Sequence, residues 1–99
     1  MTEILHQTAI FLKEDFSLPE VKEALTEENL VHALTPVISR MLDREFERLL
    51  NICYRIDLGE SKLKKILHES DPEHIAADLA RALVKRQIQK IEIRQKYSQ

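Results

Sequence analysis

The chain holds a single glycine, Gly59, among its 99 residues. Glycine supplies the positive φ angles of tight turns and lets a backbone approach a phosphate closely. Phosphate-cradling loops, which need several glycines at fixed offsets, are therefore excluded. The elements must be ended by other means, and here those are prolines and capping side chains: Ser17-Leu18-Pro19-Glu20, Thr26, Thr35-Pro36, Asp57 with Glu60, and Asp71-Pro72. Aromatic residues are only 5% of the chain. That scarcity, with abundant Leu, Glu, Lys, Arg and Ala, favours helices joined by short turns. The length fits one domain over residues 1–99 and argues against a barrel of alternating strands and helices or a full dinucleotide-binding domain.

Apolar spacing predicts a first helix over residues 3–14, capped by Thr2. Ser17 and Glu20 form a capping box with Pro19 in the first turn. A short helix to about Leu25 is expected there, burying Leu18, Val21 and Leu25. Thr26 caps the next segment, with Glu27 and Glu28 at the positive end of its dipole. Pro36 either kinks that segment or, with Thr35 as cap, opens a new helix. A long central helix is expected over about 36–57, where Ile38, Met41, Leu42, Leu49, Ile52, Cys53 and Ile56 form one apolar stripe with Phe46 beside it. Asp57 and Glu60 make a second capping box, or Gly59 closes the long helix as its left-handed residue. A short helix over residues 60–69 follows. Asp71-Pro72 opens a C-terminal helix over about 72–97. At ~1.5 Å per residue it spans nearly 40 Å, so its end, about 86–99, is expected to extend past the bundle.

The fold class is thus all-α: an irregular bundle of five to six helices with a long central and a long C-terminal helix. Its expected core is Phe11, Leu34, Ile38, Leu42, Phe46, Leu49, Cys53, Ile56, Leu63, Ile66, Leu67, Ile75, Leu79 and Leu83. No apolar run reaches the ~18–20 residues of a membrane-spanning helix. The N-terminal residues lack the basic and apolar regions of a signal peptide, so a cytoplasmic protein is expected. The lone Cys53 excludes an intramolecular disulfide and a cysteine-rich zinc site.

Catalytic and metal constellations are sparse, and no enzyme, metal site or cofactor is expected. Glu3 and His6 have the Glu-x-x-His spacing of helical di-iron sites, but such sites need a second pair and two further glutamates. Glu28 with His32 reads as a surface pair, and His68 and His74 flank a turn. Cys53 sits on the apolar stripe, where a thiol behaves as a small hydrophobe. Glu45 falls at the edge of that stripe. It is expected either to pair with Arg48 or Arg81 or to be perturbed by burial.

Function is sought at the C-terminal helix for two reasons. The first is charge. The net charge of −2 averages −5 over residues 1–30 with +5 over residues 81–99. Arg81, Lys85, Arg86, Lys90 and Arg94 are candidate contacts for an anion or a nucleic acid, unless the two ends pack together and neutralise. The second is a double apolar face. Leu79, Ala82, Leu83, Ile93 and Tyr97 lie on one side, and Ala77, Val84, Ile88 and Ile91 roughly opposite. Either this helix is the centre of its own bundle, or its far half pairs with another chain. Val84, Ile88, Ile91 and Tyr97 are the candidate interface. The leading expectation is a non-enzymatic protein-interaction module, a homodimer or the partner of another protein. Nucleic-acid binding by the basic helix is the alternative.

Overall fold

The computed structural model describes residues 2–20 and 24–97. The described chain is all-α: α1 (Thr2–Phe16), α2 (Glu27–Arg44), α3 (Phe46–Ile56), α4 (Glu60–Glu69) and α5 (Ile75–Tyr97). No strand occurs among the described residues. The hub is α5, which packs against all four other helices and most extensively against α2. Between Leu79 and Val84 only Arg81 is not fully buried. A helix that is apolar on more than one side must be covered on more than one side, and α1 to α4 supply that cover.

Local chemistry explains several boundaries. The Thr26 hydroxyl accepts from the Asn29 N–H at 3.0 Å, so α2 is capped as its sequence implies. Helix α4 occupies residues 60–69 as expected. It does not use the capping box, because Asp57 itself takes the left-handed conformation (φ 64°) and closes α3. The Asp57 N–H donates to Tyr54 O at 3.0 Å and the Leu58 N–H to Cys53 O at 3.1 Å. Gly59, at φ 101°, then leads into α4. Residues 71–74 form a turn, tied by the His74 N–H to Asp71 O at 2.8 Å, so the last helix starts at Ile75.

Three expectations are corrected. Residues 17–20 and 24–26 are not helical. Ser17 adopts φ 55°, which terminates α1 and leaves Ser17 unable to take the extended conformation of an N-cap. Val21 and the cap side chain of Thr2 lie outside the described residues. Second, Pro36 lies inside α2, and the central helix breaks instead at Glu45 (φ −140°, ψ 45°). Straight, the thirty residues from Glu27 to Ile56 would measure about 45 Å, more than the 40 Å long axis of the molecule. The bend keeps both flanking hydrogen bonds, Glu45 N–H to Met41 O at 2.8 Å and Leu49 N–H to Glu45 O at 3.0 Å. It folds Leu49, Ile52, Cys53 and Ile56 onto the core. Third, the same bend turns Phe46 outward, while Phe11, Leu42, Ile66, Leu67 and Ile75 are half-buried. The remaining expected core residues are buried, joined by Leu12, Leu30, Met41 and others.

Candidate interaction surface

Val84, Ile88 and Ile91 are all buried, Ile91 to 1% exposure, within the chain's own core. They face no free surface. Of the four candidate interface residues only Tyr97 is open, at 78%, with Ile93 exposed one turn before it. Residues 86–91 of α5 pack on the bundle, whereas residues 92–97 are mostly exposed. The helix carries Ile88 and Ile91 into the core and, beyond them, lays the Arg94 guanidinium 5.8 Å from the centre of the Phe11 ring.

The basic residues of α5 are dispersed rather than aligned. Arg81 donates two hydrogen bonds to Glu28, at 2.8 and 2.9 Å. This fork holds the Glu28 carboxyl below its ordinary range and raises Arg81. Arg86 reaches the Asp57 carbonyl at 2.9 Å, the Asp57 carboxylate at 3.1 Å and Gln89 Oε1 at 2.7 Å. Lys90 donates to Arg55 O at 3.3 Å. Among the described residues Lys85 and Arg94 make no close ion pair or hydrogen bond, and Arg94 is engaged only by the Phe11 ring. The acidic N-terminal third and the basic last helix therefore meet within one chain, at Glu28 and Arg81.

The candidate chemical residues are scattered as well. Burial pushes the Cys53 thiol up to about 11, so the thiolate is disfavoured. Glu45 pairs with Arg48 at 3.0 Å, not with Arg81, and stands at the bend between α2 and α3. Glu3 accepts from Gln7 at 3.2 Å, and His6 is exposed. His32 lies 3.5 Å from Glu28 and His74 3.7 Å from Asp71, both at the surface. Among the described residues no three His, Cys, Asp or Glu side chains converge on a metal position. No described helix is long and apolar enough to cross a membrane. A cavity of about 360 Å³ beside α1 brings His6, Lys13 and Glu20 to its edge, over walls that include Ile10, Leu18 and Leu30. No hydrogen bond or ion pair links those three side chains.

What the sequence reading missed lies on α3. Phe46 is 42% exposed, Tyr54 59% exposed, and Leu50 between them is half-buried. Spacings of four and eight residues put the three on one ridge of the helix. Beside this ridge α3 buries Leu49, Ile52, Cys53 and Ile56. The apolar arc of α3 is thus wider than its neighbours cover. Its spacing was visible in the sequence, but Phe46 was expected in the core of a single long helix, and Leu50 and Tyr54 were assigned to no face. The rim is polar. Glu47 and Asn51 are exposed on the outer side, and the pairs Arg48–Glu45 at 3.0 Å and Arg55–Asp15 at 3.5 Å stand near the two ends. An apolar centre with a neutralised polar rim is the make-up of a protein-binding patch. No family model, curated protein or solved structure matches the chain.

Proposed function

We propose that this protein is a small non-catalytic helical module that works by protein–protein contact, with α3 as its docking face and a second copy of the chain as its occupant. The observation that supports this reading is the exposed ridge Phe46-Leu50-Tyr54. Such a ridge is self-complementary. With two α3 helices antiparallel about a two-fold axis at Leu50, each Phe46 meets the Tyr54 of the other copy and the two Leu50 side chains meet on the axis. Glu47 then comes beside the other copy's Tyr54, whose hydroxyl can donate to it. The ion pairs near each end of the ridge are already neutral, so little net charge opposes the approach. A three-residue ridge falls short of the ~800 Å² per partner of a stable complex, and the pairing is therefore concentration-dependent. The nucleic-acid reading needed a continuous basic row. Arg81, Arg86, Lys90 and Arg94 instead face different neighbours (Glu28, Asp57, the Arg55 carbonyl and the Phe11 ring), so they form no such row, which leaves that reading without support.

Sedimentation equilibrium over a range of concentrations tests this proposal. The wild type is expected to shift from monomer to dimer. The double variant Phe46→Glu, Tyr54→Glu should stay monomeric with an unchanged helical spectrum, and Tyr97→Glu should dimerise like the wild type. A wild type that remains monomeric throughout, or a dimer lost in Tyr97→Glu and kept in the α3 variant, would refute it.

A further inference from the structure

The second observation lies on the other side of α5, where α4 packs against it. A groove of about 440 Å³ runs between the two helices, lined by Lys62, Lys85, Arg86, Gln89 and Glu92 over the apolar floor of Leu58 and Ala82. We propose that this groove is a binding site for a compact anion carrying two or more phosphate groups.

The groove holds a surplus of donors, one of them fixed in place. Arg86 is three-quarters buried, and its guanidinium is held by the Asp57 carbonyl, the Asp57 carboxylate and Gln89 Oε1. Those contacts use the Nε–H and one N–H on each Nη nitrogen, so a second N–H on each Nη is left to donate. Holding the fork in place removes most of the entropy that binding would otherwise cost. Lys62 and Lys85 bring two ammonium groups to the same groove, and among the described residues neither has a carboxylate within ion-pair distance. Glu28 lies near enough to feel the charge of Lys85, but both its oxygens are already taken by Arg81. By contrast Lys64, also on α4, is paired with Glu60 at 3.1 Å. Against Lys62, Lys85 and Arg86 stand two carboxylates, Glu92 on the groove wall and Asp57 paired with Arg86, which leaves one positive charge in surplus. An Arg fork with flanking ammonium groups is the donor set that phosphate oxygens match best.

Shape decides which source of phosphate fits. The volume is within the range of small-molecule clefts, roughly 300–1,000 Å³. A duplex would need a row of cations extending beyond the groove, and the other basic residues of α5 face other neighbours. The site is therefore suited to an oligophosphate rather than to a nucleic-acid backbone. It shares no residue with the α3 ridge and stands or falls independently of it.

Titration calorimetry with inorganic tripolyphosphate at low ionic strength is the test. One equivalent should bind, and the affinity should weaken with added salt. Lys62→Gln with Lys85→Gln should lower it roughly tenfold or more, while Lys64→Gln leaves it unchanged. Both groove lysines are exposed, so thermal unfolding of the double variant should match the wild type and separate lost binding from lost fold. A parallel titration with a short DNA duplex should give weaker binding. Absence of tripolyphosphate binding would overturn the proposal. So would an equal loss in Lys64→Gln, or tighter binding of the duplex.

Discussion

At the scale of single residues, Cys53 sits where its apolar stripe put it, in the core. It is 1% exposed among Leu49, Ile52 and Ile56, and its thiol is raised from an ordinary 9.0 to about 11 because burial penalises the thiolate. The sign of the linkage follows. The folded state holds the proton longer than the unfolded one, so the Cys53 contribution is complete below pH 9 and is lost as pH rises toward 11. At about 1.4 kcal/mol per unit, that loss is roughly 2–3 kcal/mol. Urea unfolding from pH 8 to pH 11 should show it in the wild type, while Cys53→Ala, less stable at pH 8, should show a shallower decline. Parallel curves for the two proteins would mean that the thiol is not held by burial. Glu28 works in the opposite direction, since its carboxyl is lowered, first by the hydrogen bonds from Arg81. Its contribution is present above the carboxylate range and is lost on acidification. The pair is about half exposed, which keeps that contribution small and sensitive to salt.

At the scale of elements, capping chemistry was legible and the bend was not. Thr26, Glu27 and Glu28 announced the start of α2, and the 60–69 helix is where its apolar spacing put it. Two capping boxes misled for one reason. Ser17 and Asp57 both take positive φ, ending the helix before them instead of starting the helix after. A side-chain pattern cannot reveal that choice, because the same residues serve either end. The break at Glu45 has no local signal at all, neither Pro nor Gly, since it follows from the need to fold α3 back onto α5. Displacing Phe46 from core to surface was its consequence, and with it the exposed ridge on α3 went unseen. Pro36 carried the obvious breaking signal, yet α2 runs through it. Having no N–H, Pro36 leaves the His32 carbonyl without its helical donor. The Thr35 hydroxyl donates to the preceding carbonyl, Val31 O, at 2.7 Å and does not replace that donor. Pro36→Ala should restore the missing donor and stabilise the protein by about 1–3 kcal/mol, read as a higher Tm. An unchanged or lower Tm would show that α2 has already relaxed around the ring.

At the scale of the whole molecule, the all-α class and the importance of α5 were legible, but the reason for that importance was not. Two apolar faces on one helix read equally well as a bundle centre or as a seam for another chain. Only the folds of α1 to α4 around it decide between them. As the hub, α5 makes the end of the chain part of the core, with Ile88 and Ile91 buried beyond Lys85. Each of these isoleucines contributes about 2–5 kcal/mol by the cost of truncating a buried aliphatic side chain. Together they approach the 5–15 kcal/mol, roughly, that holds a small domain folded. Ending the chain after Lys85 should therefore abolish cooperative thermal unfolding, leaving a broad, weakly helical state by circular dichroism. Ending it after Ile91 keeps both residues and gives up the Arg94–Phe11 contact and the exposed Ile93 and Tyr97. That shorter chain should still melt cooperatively at a lower Tm and, with α3 untouched, keep the concentration-dependent association of the full chain. A cooperative, native-like transition in the Lys85 truncation would deny α5 its place as hub. Loss of association in the folded Ile91 truncation would return the interface to the end of α5.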